Sequence, residues 1–206
     1  MRGIEREIRR KGFHRLAGVD EAGRGALAGP VVAAAVMLKD GRPVAGVNDS
    51  KRLSRRRREV LYRRIQEEAL AVGVGVVNVP TIEARNILQA SLLAMARAVV
   101  DLQVSPDGIL VDGLAAPDVD MPVFPVAGGD RHCPSVAAAS VVAKVTRDRI
   151  MADYHERYPA YRFDQHKGYG TEAHLQAIAE HGISPIHRRT FSPVRQIRLP
   201  LAVVGR

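Results

Sequence analysis

Two adjacent acids, Asp20 and Glu21, follow a short apolar run, Leu16 to Val19, and lead into a stretch with Gly23, Gly25 and Gly29 before Pro30. An apolar run bounded by turn signals reads as a buried strand, so the acids stand at a strand tip. Glycine there lets the backbone approach a ligand closely. Two neighbouring anions repel unless a proton or a cation lies between them. A plain strand end running into a polar turn would need no cation, and on this stretch alone both readings stand.

Two more acids recur in similar settings. Asp112 ends the apolar run Gly108 to Val111, and Asp130 sits in a turn with Gly128 and Gly129 just before a helical stretch. Each alone reads as a loop cap, as do Asp107, Asp118 and Asp120. If the strands ending at Asp20 and Asp112 are parallel neighbours, their carboxyl ends share the sheet edge where α/β folds place ligands. Asp20, Glu21, Asp112 and Asp130 would then converge. All-oxygen donors suit Mg²⁺ or Mn²⁺, and two such ions about 4 Å apart suit in-line phosphoryl displacement.

The elements that must position these acids are legible in outline. Strands are expected at Leu16 to Val19, Val31 to Leu38, Val72 to Val79, Gly108 to Val111 and Pro122 to Val126. Ser54 is the expected N-cap of a helix to about Leu70, with Val60, Leu61 and Ile65 on one face. Pro80 and Thr81 open a second helix to about Leu102, carrying Ile82, Leu88, Leu92, Met95 and Val99. Ser135 to Tyr158 is a third, its early face nearly all Ala and Ser. A polar loop, Tyr161 to Gly170, precedes a last helix from Thr171 to His181, stopped by Gly182. The alternation predicts one α/β domain over residues 1–206, with a mixed β-sheet flanked by helices and a helical C-terminal part from about residue 152.

The whole chain sets bounds on function. It has 206 residues, no apolar run near membrane-spanning length and a single cysteine, Cys133, which fits a reducing compartment. Met1 to Lys11 is basic but holds Glu5 and Glu7 and no Ser, unlike a secretory signal or transit peptide. The expectation is a cytoplasmic monomer without membrane attachment. A net charge of +9 favours a polyanionic partner, nucleic acid foremost.

Taken together, the motifs resemble the ribonuclease HII family, the type 2 branch of the ribonuclease H superfamily. The matching stretches are Gly18–Gly25 (GVDEAGRG), Asn48–Ser54 (NDSKRLS), Asn86–Met95 (NILQASLLAM), Val111–Gly113, Gly129–Asp130 with Ala137–Asp148 (AAASVVAKVTRD), His166–Thr171 (HKGYGT) and His187–Val194 (HRRTFSPV). They run in family order over almost the whole chain. Only nineteen residues precede Asp20 and Arg24 stands between the glycines, unlike the related ribonuclease HIII. One departure is Ala26, where Pro is usual.

The resemblance implies a ribonuclease H-like fold and an endonuclease acting on RNA–DNA hybrids. It also implies cutting 5′ to single ribonucleotides in duplex DNA, leaving 3′-hydroxyl and 5′-phosphate ends. It makes Asp20, Glu21, Asp112 and Asp130 the catalytic and metal-binding acids, with Mg²⁺ or Mn²⁺ as cofactor. Gly23, Arg24 and Gly25 would contact the ribose 2′-hydroxyl and its phosphates, Tyr169 would stack on the sugar at the RNA–DNA junction, and Ser50 and Lys51 match a phosphate-contacting segment. Lys144, Arg188 and Arg189 are weaker candidates for backbone contacts, and His166 is singled out by its place near Tyr169.

Three other readings compete. A dinucleotide-binding enzyme would use Gly23 and Gly25, but the fingerprint needs a third glycine at Ala28 and a helix where Val31 to Leu38 reads as strand. A metal-independent ribonuclease would use pairs among the seven histidines and leave a 2′,3′-cyclic phosphate. A non-catalytic basic nucleic-acid-binding module explains the charge and leaves the four acids without a role.

Overall fold

The computed structural model describes residues 3–47 and 54–196. Two compact units emerge: residues 1–24 with 30–147, and residues 25–29 with 148–206. The long helix α5 (Pro134–Arg157) contributes residues to each.

The first unit is built on a five-stranded sheet in the order β3-β2-β1-β4-β5. Its strands are β1 (Leu16–Ala22), β2 (Val31–Leu38), β3 (Ala69–Val77), β4 (Gly108–Asp112) and β5 (Val123–Val126). β2 pairs antiparallel with both β1 and β3, whereas β4 runs parallel to both β1 and β5. The mixed sheet follows from the connections. Residues 23–30 link β1 to its antiparallel neighbour β2, while a helical crossover precedes β4, as parallel pairing requires.

Both sheet faces are covered, which is why β2 is uninterrupted apolar sequence, all eight residues buried. One face carries helix α3 (Val79–Val100), which lies unusually close. A Cβ added at Gly73 would stand 2.2 Å from the Ala98 carbonyl oxygen, and one at Gly75 2.0 Å from that of Ala94. Two residues along a strand rise about 6.7 Å and four along a helix about 6 Å, so the glycine and alanine spacings stay in step. On the other face Ala34, Val36 and Leu38 pack against Leu61 and Ile65 of α2 (Arg55–Glu68) and the alanine-rich start of α5. Gly18 in β1 is the close approach there, since its added Cβ would fall 2.2 Å from Ser135 backbone atoms.

Ser54 caps α2 as expected, its Oγ accepting from Arg57 N–H at 3.3 Å. Val60, expected on the buried face, is 52% exposed, and Leu88 of α3 is 41% exposed. The reason at Leu88 is local. Asn86 leaves helical conformation (φ 65°, ψ 166°) and its Oδ1 accepts from Gln89 N–H, so a second helical segment starts there; Ile82, Met95 and Val99 are buried as expected, together with Ala90, Ala94 and Ala98. An N-terminal helix, α1 (Gly3–Arg10), was not foreseen from its charge-rich sequence. It buries Ile8 against Leu16, Leu110 and Val136, and buried Glu5 accepts from Ser135 N–H and Oγ at 2.9 and 2.7 Å.

The second unit has a separate core of Leu27, Ala28, Met151, Tyr161, Phe163, Ile178 and Ile186, among others. The stretch read as a loop, Tyr161 to Gly170, contains a short helix, α6 (Phe163–His166). Helix α7 (Glu172–His181) follows, capped by Thr171 and ended at Gly182. Residues 25–29 are held like an added strand. Leu27 N–H donates to the Gly168 carbonyl at 2.8 Å, Gly29 N–H to that of Ile186 at 2.9 Å, and Arg188 N–H to that of Leu27 at 2.8 Å. Among the described residues no helix is long and apolar enough to cross a membrane.

Candidate active site

The two acid-bearing strands are parallel neighbours. β1 and β4 pair with Val19 opposite Val111, so the next residues, Asp20 and Asp112, lie side by side at the carboxyl edge. Period-two alternation puts Asp20 on the same face as Gly18, toward α5. It is 4% exposed, accepts from Glu21 N–H at 2.7 Å through Oδ1, and is hydrogen-bonded by Ser140 of α5. Asp112 Oδ1 accepts from Gly129 N–H at 2.7 Å. That bond anchors the single turn α4 (Gly129–His132), which Gly128 enters in left-handed conformation (φ 66°). Asp130, the next residue after Gly129, is 6% exposed. It stands on this helical turn and not in the loop before it.

The electrostatics are those of crowded anions. Burial above all, then the charges of Glu21 and Asp112, push the Asp20 carboxyl up to about 8, against the lowering effect of Ser140. Burial likewise raises Glu21, opposed by Arg24 and reinforced by Asp112. Arg24 Nη1 reaches Glu21 Oε1 at 3.2 Å, while Glu21 Oε2 is buried with no hydrogen-bond partner. Among the described residues no group of three or more acid, histidine or cysteine side chains is placed so as to hold a metal ion together. The donors nonetheless fit a hard divalent cation: an orphaned carboxylate oxygen, a desolvated carboxyl beside it and a third charge acting on both.

Gly23 adopts φ +97°, and a Cβ there would fall 2.0 Å from Arg147 Nε and 2.8 Å from the Pro30 carbonyl oxygen. Its demand is therefore intramolecular. Arg147, fully buried, donates from Nε to that Pro30 carbonyl at 3.0 Å. Gly25, in the second unit, has open space where its Cβ would be, so no internal contact requires glycine there. Tyr169, also in the second unit, is half-buried. Ser50 and Lys51 lie outside the described residues.

Arg188, considered for substrate backbone contacts, is fully buried and donates from Nε and Nη2 to the Gly29 carbonyl at 3.0 and 2.9 Å. It is thereby taken up within the fold, whereas Arg189 is exposed. His166 is committed as well: Nε2 meets the Tyr161 carbonyl at 2.7 Å and Nδ1 accepts from Gly168 N–H at 3.2 Å. Sequence reasoning missed Ser140, a polar residue in an alanine run whose only signal was that contrast, and the burial of Arg147 and Arg188. The dinucleotide reading fails on the strand β2, which stands where a phosphate-binding helix would begin.

Residues 17–194 match the family model described as Ribonuclease HII. A curated ribonuclease HII from Geobacter metallireducens is 54% identical over 193 residues, covering 94% of this chain and 91% of that protein. The crystal structure of ribonuclease H2 from Pyrococcus horikoshii superposes with TM-score 0.74 at 27% identity, covering 88% of this chain and 96% of that one. Bst-RNase HIII in complex with Mn²⁺ matches at TM-score 0.70 and 21% identity, covering 88% and 68%, a likeness of fold alone. Five strands in this order, acids at their carboxyl edge and a family match over most of the chain lead to one conclusion: the chain belongs to the ribonuclease HII family, endonucleases that cut RNA strands.

Proposed function

We propose that the chain hydrolyses the RNA strand of RNA–DNA hybrids and cuts 5′ to single ribonucleotides embedded in duplex DNA, with Asp20, Glu21, Asp112 and Asp130 holding two divalent cations. The observation that carries this reading is the orphaned Glu21 Oε2 beside the desolvated Asp20 and the Asp112 charge. Such a cluster is poorly matched to its own protein and well matched to cations. The chemistry that bound Mg²⁺ or Mn²⁺ supplies is activation of a water for in-line attack and stabilisation of the departing 3′-oxygen. Water adds to phosphorus, the P–O3′ bond breaks, and the products carry 3′-hydroxyl and 5′-phosphate ends.

The chain's own groups do the positioning. Ser140 and Glu21 N–H hold the Asp20 carboxylate, and Gly129 N–H fixes Asp112. Arg24 orients Glu21 through one oxygen and leaves the other to a ligand. Gly25, exposed and with no Cβ to intervene, lets backbone groups come close to a ribose 2′-hydroxyl. Reading that hydroxyl is how a protein separates RNA from DNA at one position. Tyr169 offers a ring face for the sugar at the junction.

The test is cleavage of a duplex carrying one ribonucleotide, with Mg²⁺, Mn²⁺ or chelator, mapping both new ends. A cut 5′ to the ribonucleotide that chelator abolishes supports the reading. A 2′,3′-cyclic phosphate end, or activity that survives chelation, overturns it. Binding without any cleavage would favour a non-catalytic nucleic-acid module.

A further inference from the structure

In the second unit three histidine rings form a cluster that the cleavage chemistry does not use, two of them hydrogen-bonded to each other and the third stacked on one of the pair. His174 and His187 are buried, and His166 stacks on His174 with ring centroids 4.3 Å apart and planes 16° from parallel. Tyr161 and Phe163 close over His187 at 5.0 and 5.7 Å. Phe163 also meets His174 edge-on at 5.5 Å. Buried imidazoles in an aromatic box are ordinarily simple packing. The hydrogen bonds here specify more.

A backbone N–H is a donor that cannot be reassigned, and one fixes the direction of the whole chain of bonds. Ser184 N–H points at His187 Nδ1 at 2.9 Å, so Nδ1 accepts, and Ser184 Oγ lies 2.8 Å from the same atom. The neutral ring then carries its proton on Nε2, which lies 3.0 Å from His174 Nε2. That nitrogen must accept in turn, so His174 carries its proton on Nδ1. His174 Nδ1–H therefore donates to the Tyr169 carbonyl at 2.9 Å. The same carbonyl accepts from Thr171 N–H at 2.8 Å.

The anchor is held from the other side as well. His187 forms an isolated β-bridge with Ala28, and Leu27 N–H bonds the Gly168 carbonyl, one residue before Tyr169. The residues after Gly25 and the residue Tyr169 are thus tied to one histidine, by its backbone and by its side chain.

We propose that His187 and His174 are positioning residues, a one-directional relay from Ser184 to the Tyr169 carbonyl that sets the backbone presenting Tyr169 to substrate. This rests on the reading of Tyr169 as a substrate contact. The relay works only with both rings neutral, because a second proton on either would set donor against donor. Burial and the neighbouring rings favour that state, each histidine being held down to about 4.

Three measurements on the full chain decide the proposal. Long-range ¹H–¹⁵N spectra of the wild type at pH 7 are expected to show Nδ1–H for His174 and Nε2–H for His187; the opposite tautomers overturn it. His174→Phe, which removes both ring-nitrogen hydrogen bonds, is expected to raise KM for a duplex with one ribonucleotide about tenfold with kcat within about twofold. His174→Asn keeps a donor near the Nδ1 position and is expected to return KM to within about threefold of wild type. Equal losses in the two variants, or no change in KM for His174→Phe, overturn the relay. Should His174→Phe not fold, His174→Asn and the spectra still decide. Tyr169→Ala separates the two readings. If it raises KM while His174→Phe does not, the relay alone fails. If Tyr169→Ala leaves KM unchanged, the substrate role of Tyr169 fails first, and the relay's functional purpose with it.

Discussion

Two buried clusters of titratable groups sit in this chain, and they solve burial in opposite ways. The acids around Asp20 crowd like charges together and leave Glu21 Oε2 without a partner. The histidines around His174 are held below the ordinary imidazole range by burial, and both nitrogens of His174 have a partner. A buried polar group without compensation is costly, so an uncompensated cluster persists where something outside the chain completes it. A compensated one needs nothing further and serves as scaffold. On the proposed function, that difference separates the part of the molecule that acts from the part that holds.

Removing members of the acid cluster should give the largest effect. Asp20→Asn and Asp112→Asn are each expected to lower kcat on a single-ribonucleotide duplex on the order of 10³-fold or more while leaving the fold intact. Loss of less than tenfold would place the chemistry elsewhere. The glycines come next, because their roles divide. Gly23→Ala is expected to destabilise the protein by about 2 kcal/mol or more in urea denaturation, since it meets both positive φ and the buried Arg147. Gly25→Ala should change stability by less than about 0.5 kcal/mol and instead weaken preference for ribose-containing over all-DNA duplexes. A reversed pattern would undo the assignment.

Acidity should pull the clusters apart. The Asp20 carboxyl is raised, so its contribution is favourable below its unfolded value near 3.8 and is lost as pH rises toward about 8. Mg²⁺ or Mn²⁺ should therefore raise Tm more at pH 8 than at pH 6, by a margin that Asp20→Asn removes. The histidines carry the opposite sign. Both are lowered from 6.5 to about 4, so their contribution is present above 6.5 and fades as pH falls through 4. Hydrogen exchange in α7 should accelerate over that interval, and less so in His174→Asn. Equal pH dependence in the two proteins would show that these rings do not govern it.

Much of the first unit was legible because its signals are local. Apolar runs gave the strands, and the acids at the ends of two of them became neighbours once β1 and β4 paired in parallel. Ser54 and Thr171 announced their caps. What stayed hidden depended on long-range partners. Arg188 reads as a surface cation until Gly29, far away in sequence, supplies its carbonyl. Asn86 looks like an ordinary helical residue, yet it restarts the helix just before Leu88, which is exposed. Charge-rich α1 hides its helix because only Ile4 and Ile8 are apolar, and Glu5 reads as a surface acid until Ser135 supplies its donors. His174 and His187 each read as a solvated or structural histidine, and only the fold shows that they face one another.

Two successive peptide oxygens, those of Gly29 and Pro30, are each gripped by a buried guanidinium, Arg188 for one and Arg147 for the other. This bears on how the gene can be rearranged. New termini or inserted peptides at that junction would pull these two oxygens away from both arginines, and such clones should be missing from any library screened for soluble product. The exposed end of α3 at Val100, 83% accessible, offers the opposite. Tags, fluorophores or split-protein halves belong there.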